Sequence, residues 1–475
     1  MKLNHMICNE HNSLLEALRS INENMKSTVF IVDDASKLVG VITDGDIRRA
    51  LLAGKGLETT LGEIIGGGFV YGHIADSIDT LKGKINEKIK IIPLVDEKHQ
   101  VVDFFEYHAH LHVPVSFPYL KGNELKYLTD AFLSTWISSS GKYIDLFESA
   151  FAEFVNSSYA VSVSNGTVAI QLALKALGIG EGDEVIVPDL TFAATINAVL
   201  HVNATPVIVD IEPDSWCIDP KQISQAITKR TKAIIPVHLY GQVCDMDAIM
   251  QIAEQNQLFV IEDCAESHGA LYKGRKTGSI GDIGCFSFFA NKIVTTGEGG
   301  MCVTSNEKLQ TRLRLLRDHG MSKNKKYWHE EVGFNFRMTN LQASLGYAQM
   351  EKVNQMLVER KQIEDMYKHY LKENHAISFQ SDLPDRDRVV WLVSILVPAA
   401  VREQLLLRLR NSGFDNRAFF YPLSAMNIYK SYTHSNAQSR LISEQGLNLP
   451  TYIGISEEHV VKITNQINMA VGKIK

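Results

Sequence analysis

The strongest constraint on the fold is a series of short, β-branched apolar runs set between helical patterns. VIVP at Val185, PVIVDI at Pro206, AIIPVHLYG at Ala233 and LFVIED at Leu258 are largely apolar along their length rather than alternating. Continuous apolarity marks strands covered on both faces, and covering both faces of a sheet takes helices on each side. Strands alternating with helices give a mainly parallel sheet with right-handed crossovers. The predicted class is therefore α/β. In such folds ligands sit beyond the carboxyl ends of the strands, so polar residues at those ends are the ones to follow.

Residues 1–110 have a different texture. TVFIVDD and KLVGVIT read as two strands joined by a turn, and GDIRRALLAG as a helix following Asp46. IKIIPLVDEKHQVVDFF repeats the strand–turn–strand part more weakly, which suggests an internally repeated small α+β module. HAHLHVPVSFP, from His108 to Pro118, has no clean period and contains two prolines. The linker is placed there, at residues 111–118. Beyond it, NELKYLTDAFLSTW sets Leu125, Leu128 and Phe132 on one helical face, and LFESAFAEFV does the same with Phe147, Phe151 and Phe154. VVWLVSILVPAAV, from Val389, is short and interrupted by Pro398, and reads as a buried strand.

With 475 residues, 45% of them hydrophobic and 21% charged, the chain has the means to build a sizeable core. A net charge of -6 without a long basic run argues against nucleic acid as a partner. The six cysteines include no C-x-x-C pair, so no metal site is expected, and they read as reduced core residues of a cytoplasmic protein. No signal peptide is read at the start. No apolar run approaches the ~20 residues of a membrane span, so no membrane association is expected.

Three stretches carry polar residues at the places singled out above. In SNGTVAIQLALKALG, Gly166 and Thr167 open straight into a helix with Ala169, Leu172 and Ala176 on one side. The free N–H groups and positive dipole end of a helix start suit a phosphate, and Thr167 adds a hydroxyl donor. A plain cap by Asn165 or Thr167 fits the same residues. In LFVIEDCAESHG a buried strand delivers Glu262 and Asp263 at its carboxyl end, with Glu266 and His268 close behind. A carboxylate there suits a cationic ring nitrogen that must stay protonated, as a pyridoxal electron sink requires; capping of the next helix is the alternative. In CFSFFANKIVTTGEGGMCV two strand-like runs flank Ser287, Asn291 and Lys292, then Thr295, Thr296 and GEGG. A buried ammonium is costly, and a Schiff base with a cofactor aldehyde would relieve it. A tight hairpin with a surface lysine is the alternative. A phosphate cradle, a ring-nitrogen carboxylate and a later lysine together supply the main anchors of pyridoxal phosphate.

Residues from about 114 to 475 resemble the sugar aminotransferases of the DegT/DnrJ/EryC1/StrS family, within the aspartate aminotransferase fold type I. The matching stretches are GKYIDLFE, VSNGTVA, GDEVIVP, VHLYGQVCD, IEDCAE, FSFFANK, TTGEGGM, GFNFRMTNLQA and FFYP. The resemblance implies a large pyridoxal-phosphate domain over 119–360 with a mainly parallel seven-stranded sheet, and a smaller C-terminal domain over 361–475. It implies that Lys292 carries the cofactor as a Schiff base and then moves protons, and that Asp263 pairs with the pyridine nitrogen. Gly166, Thr167 and Ser287 would hold the phosphate, Phe192 would stack on the ring, and Glu266 would stand near the ring hydroxyl. Asn335 would reach the phosphate of the neighbouring subunit, making a homodimer with shared sites; for Asn335 and Arg337 a helix-start or salt-bridge role is the alternative. The implied reaction moves an amino group from glutamate to the C4 keto carbon of a nucleotide-linked 4-keto-6-deoxy sugar, for a surface polysaccharide. Ala290 departs from the family, which has glycine there.

Two rivals are weighed on the same residues. A sugar 3-dehydratase of the same fold resembles these proteins but has histidine where Lys292 stands. A nucleotide-sensing regulator on a dead enzyme scaffold would be expected to lack Lys292 or Asp263. The N-terminal region resembles a CBS-domain pair, through LVGVITDGDIRRAL and IPLVDEKHQVVDFF. That resemblance implies an adenine nucleotide at the T-x-x-D element, Thr43 and Asp46, with capping of the following helix by Asp46 as the alternative.

Overall fold

The computed structural model describes residues 3–24, 26–66, 68–85, 89–106 and 113–472. The chain divides into two compact units, Met1–Leu111 and His112–Lys475.

The first unit holds two three-stranded sheets built on one plan. Ile7–Asn9 runs parallel to Thr28–Val32, which turns back antiparallel into Leu38–Thr43. Gly72–His73 runs parallel to Ile91–Val95, which turns back antiparallel into Val101–Glu106. This is the repeat that the sequence shows in weakened form. The halves share a core of Met6, Phe30, Leu38, Ile91 and Val95. Lys26 and Glu106 close an ion pair between them at 2.6 Å.

In the second unit the apolar runs become the strands of a seven-stranded sheet: β1 (Tyr159–Val163), β2 (Glu184–Pro188), β3 (Thr205–Val209), β4 (Thr231–Ile234), β5 (Phe259–Asp263), β6 (Ile283–Ser287) and β7 (Gly300–Thr304). Their spatial order is β1-β7-β6-β5-β4-β2-β3. Only β7 runs antiparallel to its neighbours, so β1, β5 and β6 all end at the same edge of the sheet. Every residue of β2, β6 and β7 is buried, as continuous apolarity predicts for two-sided cover. A second, four-stranded antiparallel sheet forms from Ser378–Phe379, Val393–Leu396, Gly446–Leu449 and Arg417–Ala418. The helices Val353–Leu371, Ala399–Asn411 and Glu457–Val471 pack on it around Val393, Ile395, Leu405 and Ile463.

Three local expectations meet a different outcome. The run from Val389 gives a strand only at Val393–Leu396, while Val390, Trp391 and Leu392 are buried without joining the ladder. Leu125 and Phe132 do lie on a helix, Glu124–Leu133, but are 75% and 64% exposed, so none of the described residues covers their apolar face. Of the segment read as a linker, residues 111 and 112 lie outside the described residues; Val113 and Val115 are buried, and Val113 pairs with Phe414. Among the described residues no helix is long and apolar enough to cross a membrane.

Candidate active site

The helix Gly166–Ala176 starts three residues after β1 ends, with Ser164 and Asn165 between. Its cap is Asn165, whose side chain accepts from the Val168 N–H at 3.0 Å. The Thr167 hydroxyl, by contrast, has no hydrogen-bond partner among the described residues and lines a cavity of about 620 Å³. The start of this helix needs glycine for reasons of space. A Cβ on Gly166 would stand 2.7 Å from the Ser287 Cβ, and one on Gly300 would collide with the Asn165 carbonyl. Both glycines let the helix start press against the ends of β6 and β7, so Ser287 faces the same cavity as Gly166 and Thr167. Uncapped N–H groups, the positive end of a helix and two hydroxyls make this wall an anion cradle.

Adjacent carboxylates at the end of β5 point to opposite sides, as the strand alternation demands. Glu262 turns inward and accepts from the N–H groups of Gly278, Ile280 and Gly281 at 2.8, 2.7 and 2.7 Å; His238 Nε2 lies 3.1 Å away. Burial works to raise its pKa, but His238 and these N–H groups hold it below the ordinary value. Glu262 and His238 come together with Cys264, but the Glu262 oxygens are already taken up by backbone, so the group is a structural knot. Asp263 turns to the cavity. It accepts from Thr195 Oγ1 at 2.8 Å and from the Ala265 N–H at 3.1 Å. Burial raises its pKa, against the lowering pull of Thr195, Ala265 and Lys292.

Lys292 sits on the turn between β6 and β7, its side chain 11% exposed. Its amine lies 3.5 Å from Glu266 Oε1 and 4.0 Å from the centre of the Trp391 ring. Burial lowers its pKa, opposed by Glu266 and Asp263 and assisted by Arg417, so a larger fraction is the nucleophilic neutral amine. Glu266 Oε2 accepts from the Tyr240 N–H at 2.8 Å, and burial raises its pKa. Phe192 is 61% exposed at the cavity mouth, its ring 5.8 Å from that of Phe420. Ala290 is exposed, and its φ is not positive, so the methyl that departs from the family strains nothing.

Gly166, Thr167, Phe192, Asp263, Glu266, Ser287 and Lys292 thus all line one cavity. Asn335 does not. It is exposed, accepts from Arg337 Nε at 3.0 Å and pairs through its backbone with Asp318, to which Arg337 is also bridged at 3.0 Å. Thr43 and Asp46 are engaged with each other. Asp46 accepts from the Thr43 N–H at 2.8 Å and hydroxyl at 2.6 Å, a closed capping box on the helix Asp44–Leu52. Sequence reasoning missed Thr195, Trp391, Arg417 and Phe420, which also line the cavity. Thr195 had a local signal, standing four residues after Thr191 at the start of a helix; the other three come from the distant C-terminal segment. A larger hollow of about 740 Å³, beside Val401, Leu407 and Gln466, contains none of this chemistry.

The residues present fit pyridoxal phosphate. The anion cradle matches a phosphate, the buried Asp263 matches a ring cation, and the buried amine of Lys292 matches an aldehyde. When bound, the cofactor supplies an electron sink for the carbon that exchanges amine for carbonyl. With that group in place, Asp263 would be the carboxylate available to a protonated ring nitrogen and Lys292 the amine available to move a proton, while Thr195 donates to Asp263 and fixes its orientation.

Known proteins agree with this geometry. The family model described as the DegT/DnrJ/EryC1/StrS aminotransferase family matches residues 118–468, and the CBS-domain model matches residues 1–53. The chain is 43% identical to the GDP-perosamine synthase of Escherichia coli O157:H7 over 358 residues, 75% of this chain and 98% of that protein. Among solved structures, S. venezuelae DesV, in complex with a ketimine intermediate, superposes with a TM-score of 0.70 at 32% identity, covering 74% of this chain and 95% of that one. A Streptococcus pneumoniae aminotransferase in its PMP form superposes at 0.72 with 29% identity, covering 76% and 98%. The chain therefore belongs to the DegT/DnrJ/EryC1/StrS aminotransferase family and is a pyridoxal-phosphate-dependent sugar aminotransferase.

Proposed function

We propose that this protein moves an amino group from glutamate to the C4 keto carbon of a GDP-linked 4-keto-6-deoxy sugar, yielding an amino sugar for a surface polysaccharide. The observation that carries the reading is the convergence of Lys292, Asp263 and the Gly166–Thr167–Ser287 cradle on one cavity. The choice of a GDP-linked sugar is supported by likeness to GDP-perosamine synthase. In this reading Lys292 is the cofactor-binding lysine, Asp263 the ring-nitrogen partner, Phe192 the ring cover and Glu266 the neighbour of the ring hydroxyl. Residues 119–360 form the cofactor domain and 361–475 the smaller one.

The active form is a homodimer in which Asn335 reaches the neighbouring site. Its support is the exposed position of Asn335 outside its own cavity, and the uncovered Leu125, Phe132, Leu133 and Trp136. An adenine nucleotide at the N-terminal unit would have to displace the bonds between Thr43 and Asp46. The test is incubation of the full chain with glutamate and the GDP-linked ketosugar, read by mass spectrometry. The expected product carries an amine in place of the carbonyl. A product that has lost water without gaining nitrogen would establish the dehydratase instead.

A further inference from the structure

Lys292 stands on a turn outside any strand or helix, so a backbone ladder does not hold it. The turn is closed within itself by the Lys292 N–H, which donates to the Phe289 carbonyl at 2.9 Å, and it is tied to distant parts of the chain as well. The carbonyl of Asn291, the residue just before the lysine, accepts from Trp391 Nε1 at 2.8 Å and from Ser116 Oγ at 3.3 Å. The same Trp391 presents its ring face to the Lys292 amine, with Nζ 4.0 Å from the ring centre. Trp391 is 3% exposed, and its own carbonyl is fixed by the buried Arg360, whose Nη1 donates to it at 2.7 Å. Arg360 also donates to the Thr451 carbonyl at 3.3 Å, so both of these Arg360 hydrogen bonds go to backbone carbonyls. A tryptophan that served only to fill the core would need none of these orientations.

We propose that Trp391 is a positioning residue for Lys292, its indole N–H fixing the turn through the Asn291 carbonyl and its ring face seating the amine toward the cavity. The inference rests on the reading of Lys292 as the cofactor-binding lysine. The two contacts have separable consequences. The N–H bond sets where the amine stands, and so how fast it meets an aldehyde. The ring face favours the ammonium form, since a cation over an aromatic face is attracted by the ring quadrupole; it therefore opposes the burial that lowers the basicity of Lys292.

The experiment measures the rate at which full-length apoprotein captures pyridoxal phosphate as a function of pH, for wild type, Trp391→Phe and Trp391→Leu. Neutral amine is the reacting form, so the midpoint of the profile reports the basicity of Lys292 and the plateau reports its placement. Borohydride trapping and peptide mapping accompany each protein. Trp391→Phe keeps a ring and loses the N–H; its plateau should fall about three- to tenfold with the midpoint nearly unmoved. Trp391→Leu loses both, and its midpoint should also drop by about half a pH unit or more. Label on Lys292 with a wild-type plateau in Trp391→Phe would overturn the proposal, and this conservative variant decides the matter even if Trp391→Leu does not fold. An unmoved midpoint in a folded Trp391→Leu would overturn the ring contact. Label on a different lysine in the wild type would instead overturn the reading of Lys292 on which the proposal stands.

Discussion

Each unit of this protein has a helix that starts at or just after the end of a strand, and the two starts are built differently. In the N-terminal unit, Thr43 and Asp46 satisfy each other and the first turn of the helix Asp44–Leu52, while Arg49 holds the remaining Asp46 oxygen at 2.5 Å. In the second unit Asn165 caps the helix alone, and Gly166 and Thr167 face a cavity with their polar groups uncommitted. The same chemistry closes one helix start and leaves the other open. In this protein, short polar residues at a helix start are left free for a ligand where another residue supplies the cap, and are tied up where they cap each other.

The difference can be pushed until it breaks. The largest effect is expected from Lys292→Ala in the open site. If Lys292 carries the proton as proposed, its loss should lower single-turnover amino transfer about a thousandfold or more, while the Gly166–Thr167–Ser287 wall should still bind cofactor. Asp263→Asn keeps the shape beside Thr195 but cannot hold a protonated ring nitrogen, so the rate should fall about a hundredfold or more at nearly unchanged melting temperature. A near-normal rate would give the role to another group.

The two units should also differ in their response to pH. His268 is fully buried among Phe151, Phe286 and Phe288, and burial pushes its pKa down from 6.5 to about 3. Below pH 6.5 the unfolded chain takes up a proton that the folded protein refuses until about pH 3. Its contribution is thus complete above pH 6.5 and is lost as pH falls toward 3, by about 1.4 kcal/mol per unit. No histidine of the N-terminal unit is buried among the described residues, so the second unit should be the more acid-sensitive. Denaturant titrations across this range should show the slope, and His268→Phe should flatten it. The smallest effect belongs to the closed helix start. Asp46→Ala should cost the N-terminal unit about 1 kcal/mol through the lost cap and leave amino transfer unchanged. Calorimetry with adenine nucleotides on the same variant would sharpen the comparison, since nucleotide binding lost with Asp46 would make the closed start a site after all.

The open site was legible in sequence to the extent that its residues follow strand ends. Asp263, Ser287 and the Gly166–Thr167 pair each stand at or just after the end of an apolar run, and the sheet brings those ends to one edge. Trp391, Arg417 and Phe420 had no such marker. They reach the cavity because the four-stranded sheet packs its neighbourhood against the first, and no local pattern records where a second sheet docks. The misjudged faces have a related cause. Leu125 and Phe132 are apolar at helical spacing, which fixes the face but not what covers it.

The buried Lys292 amine lines the cavity at the ends of β1, β5 and β6, within 3.5 Å of Glu266. The most direct test is borohydride reduction of the purified, cofactor-loaded full chain, followed by peptide mapping. One stable pyridoxyl label is expected, on Lys292, with loss of amino-transfer activity in step with labelling. A label on any other lysine, or full activity after complete labelling of Lys292, would contradict it.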